Sequence, residues 1–206
     1  MQIVEPDVKL LTPIDESLLR QIELAARTCY KSVNNGSIEK TEKFVRGLIE
    51  REHEAMIEHA HVSIRVICDR GVSHEIVRHR VASYAQESTR YCNYSGDRFG
   101  NEITVIRPPF WEEGSEKYNI WYATCRTCEE AYMKLLELGA TPQEARDVLP
   151  TSLKTEIVIT MNFREWRHFL KLRCAPDAHP QMRQIALRIL KLFREKVPIL
   201  VSDISY

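Results

Sequence analysis

The chain has 206 residues, 44% hydrophobic and 28% charged, and its 29 basic side chains balance 29 acidic ones. This composition is typical of a globular protein with a sizeable core, and zero net charge does not favour a general electrostatic attraction to nucleic acid or anionic membranes. The chain begins without the features of a secretory signal, and no apolar run approaches the roughly 20 residues that span a bilayer. We therefore expect one domain over residues 1–206, a cytoplasmic location and free thiols at all six cysteines.

The first half of the chain predicts a strand, two helices, a second strand and a third helix. Hydrophobic spacing places the first four elements at 2–11, 15–30, 38–51 and 61–68. Asn34-Asn35-Gly36 predicts a turn, and Ser37 is a candidate N-cap for the second helix. Asp69-Arg70-Gly71 predicts another turn, and Ser73 is the expected N-cap of a helix that runs to about Arg80.

The second half mixes strands and helices in the same irregular way. The pattern predicts strands at 103–106 and 152–161 and helices at 116–138, 142–148, 162–173 and 178–196. Asn162 is the expected N-cap of the helix that carries Arg164, His168 and Arg173. Because strands and helices do not alternate regularly, we predict the α+β class. We expect a central, mostly antiparallel sheet flanked by helices, with one long helix near 115–138.

Three histidines and two glutamates fall within residues 53–61. A metalloprotease helix needs histidines four positions apart on one face, and Ile57 breaks that pattern. We expect no metal site, although a metal-dependent hydrolase built on His53, His59 and His61 stays an alternative hypothesis. The functional interpretation that we favour for His53 is an imidazole contact to a flat ligand.

Residues 78–91 carry the strongest functional signal, with three arginines, two serines, two tyrosines, a histidine and a glutamine. Arginine forks suit phosphates and planar carbonyl groups. On a helix, Arg78 and Arg80 would point about 200° apart, so they would serve different ligands or one would face a neighbouring subunit. An extended 86–90 segment would align Gln86, Ser88 and Arg90 as a polar comb. A paired surface cluster, or a non-catalytic module that binds anions or nucleic acid, is the alternative.

Arg78-His79-Arg80, followed after seven residues by Ser88, resembles the signature of the flavin-dependent thymidylate synthases. Segments 26–30, 53–59 and 162–173 resemble that family in the same order. The resemblance implies methylation of dUMP to dTMP, with 5,10-methylenetetrahydrofolate as carbon donor, FAD as hydride carrier and NADPH as reductant. It also implies a homotetramer with active sites where subunits meet. No Rossmann glycine motif is present, so these cofactors are not expected to bind in that way.

The same resemblance implies two sets of binding residues. Those expected at dUMP are Glu75, Ile76, Val77, Arg78, Gln86, Glu87, Ser88, Thr89, Arg90, Arg146 and Arg173. Those expected at FAD are His53, Ala55, Arg78, His79, Arg80, Gln86, Asn162, Phe163, Arg164 and His168. Glu75, Gln86 and His168 stand where some relatives carry Gln, Glu and Asn.

The resemblance implies that Arg173 is the catalytic residue. In this role it would favour the form of uracil that has lost the proton at N3. A guanidinium does not give up its proton, so it would stabilise negative charge on the pyrimidine rather than act as a base. Taken from the residues alone, Arg173 is a cation that satisfies a helix C-terminus. We expect Ser88 to donate a hydrogen bond to dUMP, because no neighbouring base would activate it as a nucleophile.

Overall fold

A computed structural model describes residues 1–33 and 36–206. The turn expected at Asn34-Asn35-Gly36 includes positions 34 and 35, so this prediction lies outside the described residues. The helices and strands in chain order are β1 (Gln2–Val4), β2 (Asp7–Leu10), α1 (Glu16–Thr28), α2 (Ile38–Glu50), β3 (His61–Asp69), α3 (Arg70–Ile76), β4 (Ala82–Gln86), β5 (Thr104–Ile106), α4 (Glu116–Glu137), α5 (Pro142–Ala145), β6 (Lys154–Asn162), α6 (Phe163–Arg173) and α7 (Pro180–Lys196). Short 3-10 turns cover Glu54–His59, Asp97–Phe99, Arg146–Val148 and Pro198–Leu200.

The strands of the described residues form a large and a small sheet. The large sheet is antiparallel and has the strand order β2-β3-β6-β4. In the small sheet, β1 and β5 pair in parallel, with Gln2 opposite Thr104 and Val4 opposite Ile106. Helices flank these sheets. The predicted α+β class and the predicted long helix, α4, are both confirmed.

The chain divides into two compact units. The first comprises Met1–Asp7, Val66–Arg78 and Ala85–Ile157, and it includes α3, α4 and α5. The second comprises Val8–Arg65, His79–Tyr84 and Val158–Tyr206, and it includes α1, α2, α6 and α7. The expectation of one domain over residues 1–206 stays a prediction.

Each unit has its own apolar core. In the first unit, Cys125 and Tyr132 of α4 pack with Ile103, Val105 and Leu153. In the second, three fully buried aromatic rings meet, and their centroids lie 5.0 Å (Phe163 and Phe193) and 5.6 Å (Trp166 and Phe193) apart. Full burial of such side chains contributes about 1.5–3 kcal/mol each, so α6 is firmly seated on α7.

Hydrophobic alternation locates the long strands correctly. In β3 the alternate residues Val62, Ile64, Val66 and Cys68 are all buried. The same holds for the buried face expected over residues 152–161, where Leu153 directly precedes β6 and Thr155, Ile157, Ile159 and Met161 lie on it. At the end of β6, Asn162 caps α6 as predicted, since its Oδ1 accepts a hydrogen bond from the Glu165 amide at 2.9 Å.

Two local predictions near the candidate site are wrong. The strand expected at 2–11 is split into β1 and β2, because Pro6 between them has no N–H for a strand ladder. The helix expected from Ser73 begins earlier, at Arg70, because the Asp69 carboxylate accepts from the Val72 amide at 2.7 Å and acts as the N-cap. Asp69-Arg70-Gly71 is therefore the junction of β3 and α3 and not a turn.

Candidate active site

The arginines of residues 78–80 lie beyond α3 rather than on it. The helix ends at Ile76, and the Arg78 amide donates to the Glu75 carbonyl at 3.3 Å in the turn that follows. The argument from helical geometry for Arg78 and Arg80 is therefore wrong. Both arginines are exposed, and neither side chain forms an ion pair with any residue in 1–33 or 36–206.

The polar comb expected at 86–90 is also not formed. β4 ends at Gln86, and the Ser88 carbonyl accepts from the amides of Tyr91 (3.1 Å) and Cys92 (2.9 Å), so the chain turns there. The Ser88 hydroxyl oxygen accepts from the Arg90 amide at 3.3 Å. These local hydrogen bonds fold residues 88–92 into a compact polar turn, so the segment is not extended.

The Gln86 side chain is directed at its neighbours in the first unit. Its amide nitrogen donates to the hydroxyl oxygens of Ser73 at 2.9 Å and Thr155 at 3.2 Å. The Ser73 hydroxyl in turn donates to the Arg70 carbonyl at 2.8 Å. Both amide hydrogens of Gln86 are therefore used, and its carbonyl oxygen is the group left to accept from a ligand.

Glu87 lies in a half-buried network beside that turn. Its carboxylate accepts from the Tyr94 hydroxyl at 2.8 Å and from Lys154 Nζ at 2.9 Å. Burial, together with the Glu87 charge, raises the pKa of Tyr94, so its hydroxyl stays protonated and donates. Lys154, which also pairs with Glu156 at 2.9 Å, partly offsets the Glu87 charge and so reduces its repulsion of an anion near Ser88 and Arg90.

The other residues expected at dUMP differ in exposure. Ile76 and Thr89 are buried, so their side chains are not exposed to a ligand. Glu75 is half-buried, and Val77 is exposed at its helix end. Arg146 is exposed on the 3-10 turn Arg146–Val148, and its guanidinium pairs with no carboxylate of the described chain. Arg78, Arg90 and Arg146 are thus the exposed cations of the expected dUMP set in this unit.

His79 connects two residues of α6 in the second unit. The residue is 4% exposed, its Nδ1 lies 3.1 Å from Glu165 Oε1, and its Nε2 lies 3.1 Å from Arg173 Nε. A guanidinium can only donate, so Nε2 is the acceptor and Nδ1 carries the hydrogen that is donated to Glu165. Arg173, the expected catalytic residue, is the last residue of α6 and also donates a hydrogen bond to His79.

The surroundings of His79 keep its ring neutral. Burial lowers its pKa, and the Arg173 charge lowers it further, while Glu165 acts in the opposite direction. The ring also packs on Phe169, with centroids 4.9 Å apart. The His168 ring, which is also expected at FAD, contacts His79 edge-on at 5.7 Å.

Glu165 and His168 also form, with His79, a group of potential metal ligands within 4.8 Å of one another. Both His79 nitrogens are already used, one toward Glu165 and one toward Arg173. The adjacent guanidinium charge further opposes a cation here. The arrangement therefore favours a hydrogen-bonded chain over a metal centre.

Five of the ten residues expected at FAD line cavities of the second unit. A cavity of about 900 Å³ is bordered by His53, Ala55 and Arg164. Asn162, Arg164 and His168 border another, of about 430 Å³. His53 and Ala55 also border a third cavity, of about 540 Å³, whose apolar lining includes Phe44, Leu48 and Met56. Phe163 is fully buried against Phe193, and its amide donates to the Ala60 carbonyl at 2.9 Å, so its side chain does not line a cavity.

The basic residues of these cavities that sequence reasoning did not identify include Arg46, Arg167 and Lys171. Arg167 is 2% exposed, and its guanidinium donates to Glu54 (3.0 Å) and twice to Asp203 (2.6 and 2.8 Å). Lys171 borders the same two cavities as Arg164. The signal that was missed is helical spacing, since cationic or imidazole groups at 164, 167, 168 and 171 share one side of α6.

Fold and site together define an α+β protein with exposed arginines in one unit and cation-lined cavities in the other, features that suit phosphorylated small molecules. The family model described as "Thymidylate synthase complementing protein" matches residues 12–199. A flavin-dependent thymidylate synthase of Geobacter sulfurreducens is 34% identical over 88% of this chain and 80% of the relative. One of Mycolicibacterium gilvum is 32% identical over 96% of this chain and 84% of the relative.

The chain belongs to the family of flavin-dependent thymidylate synthases, enzymes of the methyltransferase type that make dTMP. The family expected from Arg78-His79-Arg80 and Ser88 is thereby confirmed. Among the helices of residues 1–33 and 36–206, none is long and apolar enough to cross a membrane.

Proposed function

We propose that this chain methylates dUMP reductively to dTMP, with 5,10-methylenetetrahydrofolate as carbon donor, FAD as hydride carrier and NADPH as reductant. The observation that carries the proposal is the family match, whose span of residues 12–199 contains Arg78, Ser88 and Arg173. The curated relatives named above carry the words flavin-dependent thymidylate synthase in their names.

The cavities of the second unit have a donor set that fits FAD. Arg46, Arg164 and Lys171 border the cavity of about 900 Å³ and would hold the diphosphate. Four acidic residues border the same cavity. Glu54 and Asp203 are paired with Arg167, which limits their repulsion of phosphate, and Glu50 and Glu52 are the other two. The apolar cavity that shares His53 and Ala55 would accept a flat ring. When bound, the flavin supplies the hydride.

The proposed dUMP residues supply charge and hydrogen bonds. The exposed guanidinium groups of Arg78, Arg90 and Arg146 would bind the phosphate. The Ser88 hydroxyl accepts from the Arg90 amide, so its hydrogen is available to donate to the nucleotide.

Arg173 is the residue that we place in catalysis. Its guanidinium stays charged near neutral pH and would stabilise the anion formed when uracil loses its N3 proton. Electron density directed toward C5 then makes that carbon the nucleophile for the methylene group. Arg173 thus acts by electrostatic stabilisation and takes no proton.

We also propose the finer features that the family resemblance implies. These are assembly as a homotetramer with shared active sites, a cytoplasmic location and the absence of nucleic-acid or membrane partners. Sedimentation of the purified protein, with and without FAD, measures the assembly directly. A monomer that makes dTMP at full rate would contradict shared active sites.

The test of the function is the visible spectrum of the purified protein after incubation with FAD. We expect flavin bands that bleach with NADPH, and bleach faster when dUMP is present. With a labelled methylene donor, the label should appear in dTMP. A protein that binds no flavin would overturn the proposal and favour the alternative of an anion-binding module.

Arg173→Ala separates the catalytic role from cofactor binding. We expect dTMP formation to fall by at least about 100-fold while FAD stays bound, since one oriented donor to a developing charge is worth that much. Arg188→Ala, an exposed position on α7, is the matched control. Full turnover by Arg173→Ala would remove this residue from the mechanism.

A further inference from the structure

Arg173 lies at the last position of α6. It is half-buried, and its Nε hydrogen is directed at His79 Nε2, 3.1 Å away. A guanidinium is planar, so fixing the Nε–H direction also limits the plane in which the terminal nitrogens lie. The hydrogen bond to His79 Nε2 therefore restricts the directions in which the terminal N–H groups of Arg173 can point.

His79 is itself held from several sides. Its Nδ1 is hydrogen-bonded to Glu165, whose side chain is only 13% exposed. The Tyr84 hydroxyl donates to the His79 carbonyl at 2.5 Å, which fixes the backbone. The ring packs on Phe169. A buried ring with a defined tautomer and a fixed backbone is a rigid acceptor.

We propose that His79 is a positioning residue for Arg173, and that its Nε2 holds the guanidinium in the orientation that stabilises the dUMP pyrimidine anion. The inference rests on the role of Arg173 in the proposed function. It gives the middle residue of Arg78-His79-Arg80 a task separate from contact with the flavin. Glu165 and Tyr84 support that task, because they fix the tautomer and the backbone of His79.

Two similar substitutions of His79 test the proposal. Glutamine places its amide oxygen near the position of Nε2 and keeps an acceptor for Arg173. Asparagine is shorter, so its amide lies near the position of Nδ1, where it keeps the Glu165 contact and loses Arg173. We expect His79→Asn to lower kcat for dTMP formation about 10- to 100-fold, the cost of a misplaced catalytic group, and His79→Gln to stay at least tenfold more active than His79→Asn.

Binding of dUMP provides a readout that does not need turnover. The affinity of the FAD-loaded protein for dUMP, measured by calorimetry, should be weaker in His79→Asn than in His79→Gln. In an Arg173→Ala background the two variants should bind dUMP equally, because His79 then has no guanidinium to orient. The ¹⁵N spectrum of the wild-type imidazole should show hydrogen on Nδ1 and none on Nε2.

Equal loss of dUMP affinity and of turnover in both His79 variants would overturn the proposal, since a purely structural ring gives that result. A difference between them that persists without Arg173 would assign His79 to direct ligand contact instead. If the wild type makes dTMP and the two His79 variants have equal dUMP affinity and equal turnover, only the positioning role of His79 is overturned. If the wild type binds neither FAD nor dUMP, the proposed function fails with it.

Discussion

Arg167 and Asp203 form a two-pronged ion pair in the second unit, with N–O distances of 2.6 and 2.8 Å. Arg167 is almost completely buried on α6, while Asp203 belongs to the segment after the last helix. The same guanidinium donates to the Leu200 carbonyl at 2.7 Å and to Glu54 at 3.0 Å. One side chain thus joins α6, the C-terminal segment and the turn that carries Ala55.

Asp203→Ala should destabilise the protein by about 1–3 kcal/mol. The substitution leaves the buried Arg167 charge with fewer partners, and the cost is below that of a fully buried pair because Asp203 is 41% exposed. Urea unfolding gives the free energy. Asp177→Ala, an exposed carboxylate outside this network, is the control. Equal effects of the two substitutions would show that the ion pair does not stabilise the fold.

The stability of the protein should fall in mild acid because of His79. The ring faces Glu165, His168 and Arg173 of α6 and lies near Tyr84, and its pKa in the folded state is below the ordinary 6.5, chiefly through burial. The unfolded chain therefore takes up the proton first. This contribution to stability is complete above pH 6.5 and is lost as the pH falls from 6.5 toward the folded pKa.

Unfolding free energies measured at about pH 8 and about pH 5.5 check this. His79→Gln cannot titrate, so its stability should decline less than that of the wild type over the same interval. A steeper decline in the variant would show that another group dominates the acid sensitivity.

Tyr94→Phe should cost about 1 kcal/mol, since it removes one buried hydrogen bond. The Tyr94 hydroxyl donates to Glu87 at 2.8 Å, and Glu87 keeps its second bond to Lys154. Tyr122→Phe, at a side chain that is 42% exposed, should change the free energy of unfolding very little. A larger loss at Tyr122 than at Tyr94 would contradict the importance of this network.

Arg146→Ala should raise KM for dUMP about 10- to 100-fold, the effect of losing one charged hydrogen bond to phosphate. The guanidinium is exposed, so the free energy of unfolding should stay within about 0.5 kcal/mol of wild type. Steady-state kinetics at varied dUMP measure the effect, with Arg188→Ala as control. An unchanged KM would remove Arg146 from the nucleotide site.

Local signals in the sequence were sufficient for much of this protein. Alternating apolar residues determined the buried faces of β3 and β6, and the Asn162 cap determined where α6 begins. The family signature at Arg78-His79-Arg80 and Ser88 was also readable without a structure. These features depend on side chains within a few positions of one another, and such interactions are encoded locally.

Tertiary structure decided the remaining features. The Asp69 cap starts α3 before Ser73, and the helix ends at Ile76, so the arginines of 78–80 lie in a loop instead of on a helix. His79 and Arg173 are 94 positions apart, and Arg167 and Asp203 are 36 apart. No periodicity marks these pairs, because each depends on how separate elements pack, and packing alone fixes which donor meets which buried acceptor.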